Sequence, residues 1–156
     1  MIKLLDILEN KILVPRRSPE ERSKNYLIAT QKKIQQYMKD GSKADLNLRN
    51  TLITSLPQGL KVGSYLDLSN SQITSLPQGL TVGGNLNLYK TPITTLPQDL
   101  KVGEYLNLRD TQITSLPQDL TVGGNLNLAN TPISKKYSKE QIQQMVPGVK
   151  GDIYIK

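Results

Sequence analysis

Apolar residues recur along most of this chain in fixed columns twenty residues apart, with no insertion between them. One column runs Leu46, Leu66, Leu86, Leu106, Leu126, and another follows two residues later at Leu48, Leu68, Leu88, Leu108, Leu128. Further on stand Ile53, Ile73, Ile93, Ile113 and Ile133. Behind them come leucines at 56, 76, 96 and 116, leucines at 60, 80, 100 and 120, and valines at 62, 82, 102 and 122. Strict repetition at this period predicts a solenoid, in which no coil buries its apolar side without a neighbour. In Leu66-Asp67-Leu68-Ser69 and its equivalents the leucines alternate with polar residues, the pattern of a strand with one buried face. Stacked in register, such strands make a parallel ladder. Twenty residues per coil leave no room for a long crossover helix, so short coil must close each turn.

The residues at the corners agree. Gly63, Gly83, Gly103 and Gly123 stand just before the strands, where glycine signals either a positive φ or a tight backbone approach. Pro57, Pro77, Pro97 and Pro117 each follow a leucine and hold it extended. The Pro-Gln-Gly/Asp-Leu segment then predicts a tight turn or one turn of 3₁₀ helix. Lys61 to Ile93 and Lys101 to Ile133 are closely similar, as a duplicated two-coil unit would be.

On these residues the chain resembles the leucine-rich repeat family. Ile73-Thr74-Ser75-Leu76-Pro77-Gln78-Gly79-Leu80 is similar to the I-x-x-L-P-x-x-L segment of its short, proline-containing bacterial class. Leu86-Asn87-Leu88-Tyr89-Lys90-Thr91-Pro92-Ile93 is similar to the L-x-L-x-x-N-x-L segment of the whole family. Two features depart from it. Thr51, Ser71, Thr91, Thr111 and Thr131 fill the usual asparagine column, and glycine stands where the first family leucine would be. The variant V-G-G-x-L-x-L-x-x-T-x-I-T-x-L-P is similar to repeats in uncharacterised proteins of tailed bacteriophages and some bacteria. The resemblance covers residues 44 to 156 and implies a phage or bacterial source. It says almost nothing about activity, because a fold does not imply a function.

Both ends of the array break the period. Ile2 to Val14 places Leu4, Leu5, Leu8 and Ile12 near one helical face. Its charges at Lys3, Asp6, Glu9 and Lys11 mark a retained helix rather than a secretory signal. Arg16 and Arg17 begin a polar linker. Ser18-Pro19-Glu20-Glu21 is a helix start, with serine as N-cap, proline first and acids in the first turn. That helix is expected to run to about Asp40 and stop at Gly41. Leu27, Ile34 and Met38, with Tyr26 and Tyr37, form a stripe suited to covering the open end of the first coil. Leu52 replaces the Gln or Pro of later coils, either as a contact for that cap or as an isolated surface leucine.

At the other end, Ser138 and Gln141 make a capping box that opens a helix through Val146, with Ile142, Met145 and Val146 inward. Val149 to Ile155 aligns with Val122 to Leu128 and predicts a last ladder strand. The expected fold class is α/β. It is a right-handed leucine-rich-repeat-like solenoid with one parallel β-sheet of six strands, a helical N-terminal cap and a helix-strand C-terminal cap. Residues 1–43 form the helical cap, 44–133 the solenoid and 134–156 the C-terminal capping repeat.

Composition narrows the chemistry. The chain has no cysteine and no histidine, which removes disulfides, the commonest metal ligands and the usual base at neutral pH. No metal site and no cofactor are expected, and no apolar run reaches membrane-spanning length. A cytoplasmic location follows as the expectation, in the bacterial host if the chain is phage-encoded. Nothing pairs a nucleophile with a base, so an enzyme is not expected.

Two surfaces remain as candidates. The outward strand positions include Arg49, Tyr65, Tyr89, Tyr105 and Arg109, the residue types enriched in interface hot spots. The net charge is +7, concentrated at the two ends, and Arg22, Lys24, Lys32 and Lys33 form a basic stretch in the N-terminal helix. The first surface points to a non-enzymatic protein–protein interaction module, a phage- or bacteria-encoded accessory protein engaging a host protein. The second points to a basic adaptor that binds nucleic acid through its lysine- and arginine-rich ends. No membrane partner is expected.

Overall fold

A computed structural model describes residues 18–156. The helix expected over Ile2 to Val14 and the linker at Arg16 and Arg17 lie outside the described residues.

The chain folds as a parallel-strand solenoid. Strands β1 (Leu46–Asn47), β3 (Leu66–Asp67), β5 (Leu86–Asn87), β7 (Leu106–Asn107), β9 (Leu126–Asn127) and β10 (Ile153–Tyr154) pair in that order into a six-stranded parallel sheet. Each leucine faces its equivalent one coil on, and Ile153 faces Leu126 at the last step. A one-residue slip would turn every leucine outward, so the apolar column enforces this register. The ladder is regular: Leu46, Leu66, Leu86 and Leu106 donate their N–H groups to the carbonyls of Tyr65, Asn85, Tyr105 and Asn125. Both leucine columns are buried throughout, at 1% exposure or less.

A second sheet was not expected from the sequence. Strands β2 (Lys61–Val62), β4 (Thr81–Val82), β6 (Lys101–Val102) and β8 (Thr121–Val122) stack in that order on another side of each coil. Each presents a single inward apolar residue, the valine, so no alternation registers. Between the sheets, Leu60, Leu80, Leu100 and Leu120 are fully buried.

The corner glycines divide into two physical cases. Gly83, Gly103 and Gly123 lack a positive φ. A Cβ on each would strike the carbonyl oxygen of Gly63, Gly83 or Gly103 one coil back. Close approach is therefore the reason for glycine there. Gly59 and Gly79, in the proline turn, do have positive φ, at 75° and 73°. Asp99 and Asp119 replace them two coils on without positive φ, the difference between a type II and a type I turn. Leu100 N–H donates to the Pro97 carbonyl at 3.3 Å, a single i→i+3 bond with no second one beside it, and the segment is a turn. A left-handed residue also follows β1, β3, β5, β7 and β9, at Asn50, Asn70, Lys90, Asp110 and Asn130.

Helix α1 (Pro19–Lys39) covers the first coil. Glu21 N–H donates to Ser18 Oγ at 3.1 Å, and Ser18 N–H donates to Glu21 Oε2 at 2.9 Å, a reciprocal cap. Asp40 is the C-cap, followed by Gly41 at φ 83°. Ile34 enters the core, and Leu27, Tyr37 and Met38 pack partly against it. Tyr26 departs from the expected stripe and is 47% exposed. Tyr37 donates its hydroxyl to the Ala44 carbonyl at 2.6 Å, and Gly63 N–H donates to the Ser42 carbonyl at 2.7 Å. Leu46 and Leu48 stay 1% exposed although β1 is the outermost strand. Leu52 lines a groove beside Leu27 and Ile34 and remains 43% exposed.

The last coil is longer. Helix α2 (Pro132–Lys136), which the sequence did not suggest, leads into α3 (Lys139–Met145), opened by the expected box of Ser138 and Gln141. Ile142 and Val146 are fully buried, and Ile153 on the terminal strand is 2% exposed. The apolar core is thus buried at both ends of the six-stranded sheet.

Candidate functional site

The strand face carries three outward columns, and most of their polar groups are used within the face itself. Asn47, Asp67, Asn87, Asn107 and Asn127 each accept, through Oδ1, the backbone N–H two residues on, at 2.9–3.1 Å. Their amides also bridge coils: Asn87 Nδ2 donates to Asp67 Oδ1 at 3.2 Å, and Asn107 Nδ2 to Asn87 Oδ1 at 3.0 Å. Asp45 and Asn85 receive the backbone N–H groups of Tyr65 and Tyr105, at 3.1 Å and 3.0 Å. The asparagines therefore hold the sheet together, which follows from one amide every coil at strand spacing.

Tyr65 and Tyr105 do not project freely. Each lies half-buried across the next coil, accepting from Asn87 Nδ2 at 3.2 Å and Asn127 Nδ2 at 3.0 Å respectively. Asp67 and Ser69, although outward in the strand pattern, are 6% and 2% exposed. Burial holds the Tyr65 phenol above its ordinary pKa, with the Asp67 charge adding to the shift. The Asn87 hydrogen bond and the Arg49 charge oppose it. On exposed Asp45 the direction is reversed, because Ser64 and the Tyr65 N–H stabilise its carboxylate.

What stays available is a short run of rings and cations. Tyr89 is half-buried on β5's coil, with Lys90 Nζ 5.1 Å and Arg109 Cζ 6.0 Å from its ring centroid, within cation–π range. Arg109 lies beside Asp110 at 3.7 Å and is 52% exposed at its side chain. Arg49 is exposed at the other end of the face. It shares a groove with Tyr26, Ala29 and Lys33 of α1. The structure thus brings Tyr89 and Arg109 together and sets Tyr65 near Arg49, while Tyr105 is engaged with Asn127.

Lys90 was missed in the sequence. Its column is otherwise Asn or Asp, residues that tolerate the left-handed backbone found there, at φ 54° for Lys90. A lysine breaking that column was the available signal.

The basic stretch does not form one patch. Arg22 and Lys33 lie about three turns apart on one side of α1, while Lys24 and Lys32 fall on others. Lys33 is also committed: its Nζ donates to the Asn47 carbonyl at 2.6 Å and closes the open edge of β1. Among the described residues no three His, Cys, Asp or Glu side chains are grouped to hold a metal ion, and no helix is long and apolar enough to cross a membrane. In comparisons with known proteins, no family model, no curated protein and no solved structure matches the chain.

Proposed function

We propose that this protein is a non-enzymatic protein-interaction module whose contact surface is the outer face of the six-stranded sheet, between Arg49 and Arg109. One observation carries this. Tyr89, Lys90 and Arg109 converge on a face where most of the asparagine side chains are already bonded within the face. Pre-ordered aromatic and arginine side chains contribute binding energy at small entropic cost. The repeat sequence resembles leucine-rich repeats of bacterial and tailed-phage proteins. On that resemblance we place the protein in the bacterial cytoplasm, as an accessory factor engaging a host protein. Binding of nucleic acid through the basic helix has weaker support, because its cations are spread around α1 and Lys33 is tied to Asn47.

The test is capture from bacterial lysate with the full chain as bait, with and without nuclease. The expected result is a protein partner that resists nuclease and is lost with Tyr89→Ala and Arg109→Ala together. Loss of every partner after nuclease would favour the nucleic-acid adaptor instead.

A further inference from the structure

The strand face carries as many carboxylates (Asp45, Asp67, Asp110) as cations (Arg49, Lys90, Arg109), but its cations are exposed and its carboxylates are engaged by neighbouring groups. Its cations Arg49 and Lys90 have no carboxylate within ion-pair distance among the described residues, and Arg109 has only the 3.7 Å contact with Asp110. Its carboxylates are occupied: Asp67 is buried under the face and bonded to Ser69 N–H and Asn87, and Asp45 accepts from Tyr65 N–H. Lys90 also holds a left-handed backbone that asparagine or aspartate fills in every other coil. A lysine there costs conformational energy relative to the residues around it, and the site it reaches is the Tyr89 ring.

Resting on the interaction surface proposed above, we infer that the partner presents an extended acidic peptide segment laid across the strands. One acidic side chain meets Arg49 and another meets Lys90 and Arg109. Arg49 and Arg109 stand on strand positions of β1's and β7's coils, three rungs apart, which is about 14 Å at the spacing of parallel strands. An extended chain advances about 3.4 Å per residue, so the two acidic residues are about four positions apart in the segment. The residues between them cross Tyr65 and Tyr89, and apolar or aromatic side chains suit those rings. A polyanionic strand fits less well. Nucleic acid would need cations tracking its backbone along the whole face, whereas Asn85, Asn87 and Asn107 fill the middle with amides already engaged.

The experiment is selection of a random-peptide library on the full-length protein, with a labelled thymidine oligonucleotide measured in parallel. The expected peptides carry two Asp or Glu about four residues apart flanking an apolar residue. Their binding weakens with salt and falls roughly tenfold or more in Arg49→Glu with Arg109→Glu. It is unchanged in Lys24→Glu with Lys32→Glu. Neutral or basic peptides whose binding depends on Tyr89 and Arg109 would overturn the acidic segment and leave the binding face standing. Peptides indifferent to every substitution on the face, or no enrichment at all, would overturn both. Tight oligonucleotide binding lost in the Arg49→Glu, Arg109→Glu variant would show that the face takes nucleic acid and not an acidic peptide.

Discussion

At the scale of residues, the threonine column shows how closely each coil is specified. Thr51, Thr91, Thr111 and Thr131 are buried and donate their hydroxyls to the leucine carbonyl three residues back, at 2.6–2.8 Å. Ser71 holds the same position at 1% exposure, but its Oγ has no partner. Ser71→Thr fills the missing methyl volume and fixes the hydroxyl rotor. It is expected to stabilise the fold by about 0.8 kcal/mol, the contribution of one buried methyl group. Urea midpoints at constant slope would show this, and an unchanged midpoint would mean the second coil has already closed around serine. Tyr65 gives a pH prediction. Its folded pKa is raised, so its stabilisation is complete below the unfolded value, about 10. It is lost as pH rises through the folded value, when a phenolate would form beside Asp67. Tyr65→Phe should flatten part of the alkaline loss of stability above about pH 10. Tyr37, raised chiefly by its own burial, retains the rest.

At the scale of elements, coil stacking depends more on backbone approach than on turn conformation. Gly103→Ala places a Cβ against the Gly83 carbonyl, with no flexible side chain to yield. The two coils must separate, at an expected cost of about 2 kcal/mol or more. Gly79→Ala forces a positive φ but finds only the Asp99 side chain at 3.8 Å. Its cost is about 1 kcal/mol. Thermal melting of the two variants should rank Gly103→Ala as the more damaging, and the reverse order would show that turn strain dominates. These elements differed in how far the sequence revealed them. Leucine and isoleucine columns exposed the six-stranded sheet because they report side-chain burial directly. The second sheet stayed hidden, because each of its strands turns one residue inward, the buried valine, and a single inward position shows no alternation. The glycine column stayed open between two explanations until the neighbouring coil was placed beside it.

At the scale of the whole molecule, the solenoid keeps its apolar core buried from the first coil to the last. Removal of residues 1–40 strips α1, Ile34 and the Lys33 contact to Asn47 from the first coil. Such a chain should associate or aggregate, as solenoids without end caps do. A monomer of unchanged thermal midpoint in size-exclusion and melting experiments would make α1 a separate arm. The candidate surface was legible only as residue types: tyrosine and arginine stood out against asparagine. Periodicity could not show that Tyr65 and Tyr105 lie down across the next coil, or that Lys90 turns onto Tyr89. Those outcomes depend on side-chain packing between coils. Where the partner sits is the central claim, and hydroxyl-radical footprinting of the captured complex addresses it most directly, since tyrosine oxidation reports ring exposure. Binding should protect Tyr89, and to a smaller degree Tyr65, while Tyr154 at the far end, 45% exposed, reacts as in the free protein. An unprotected Tyr89 in a complex that shields Tyr154 or α1 would contradict the strand face as the interface.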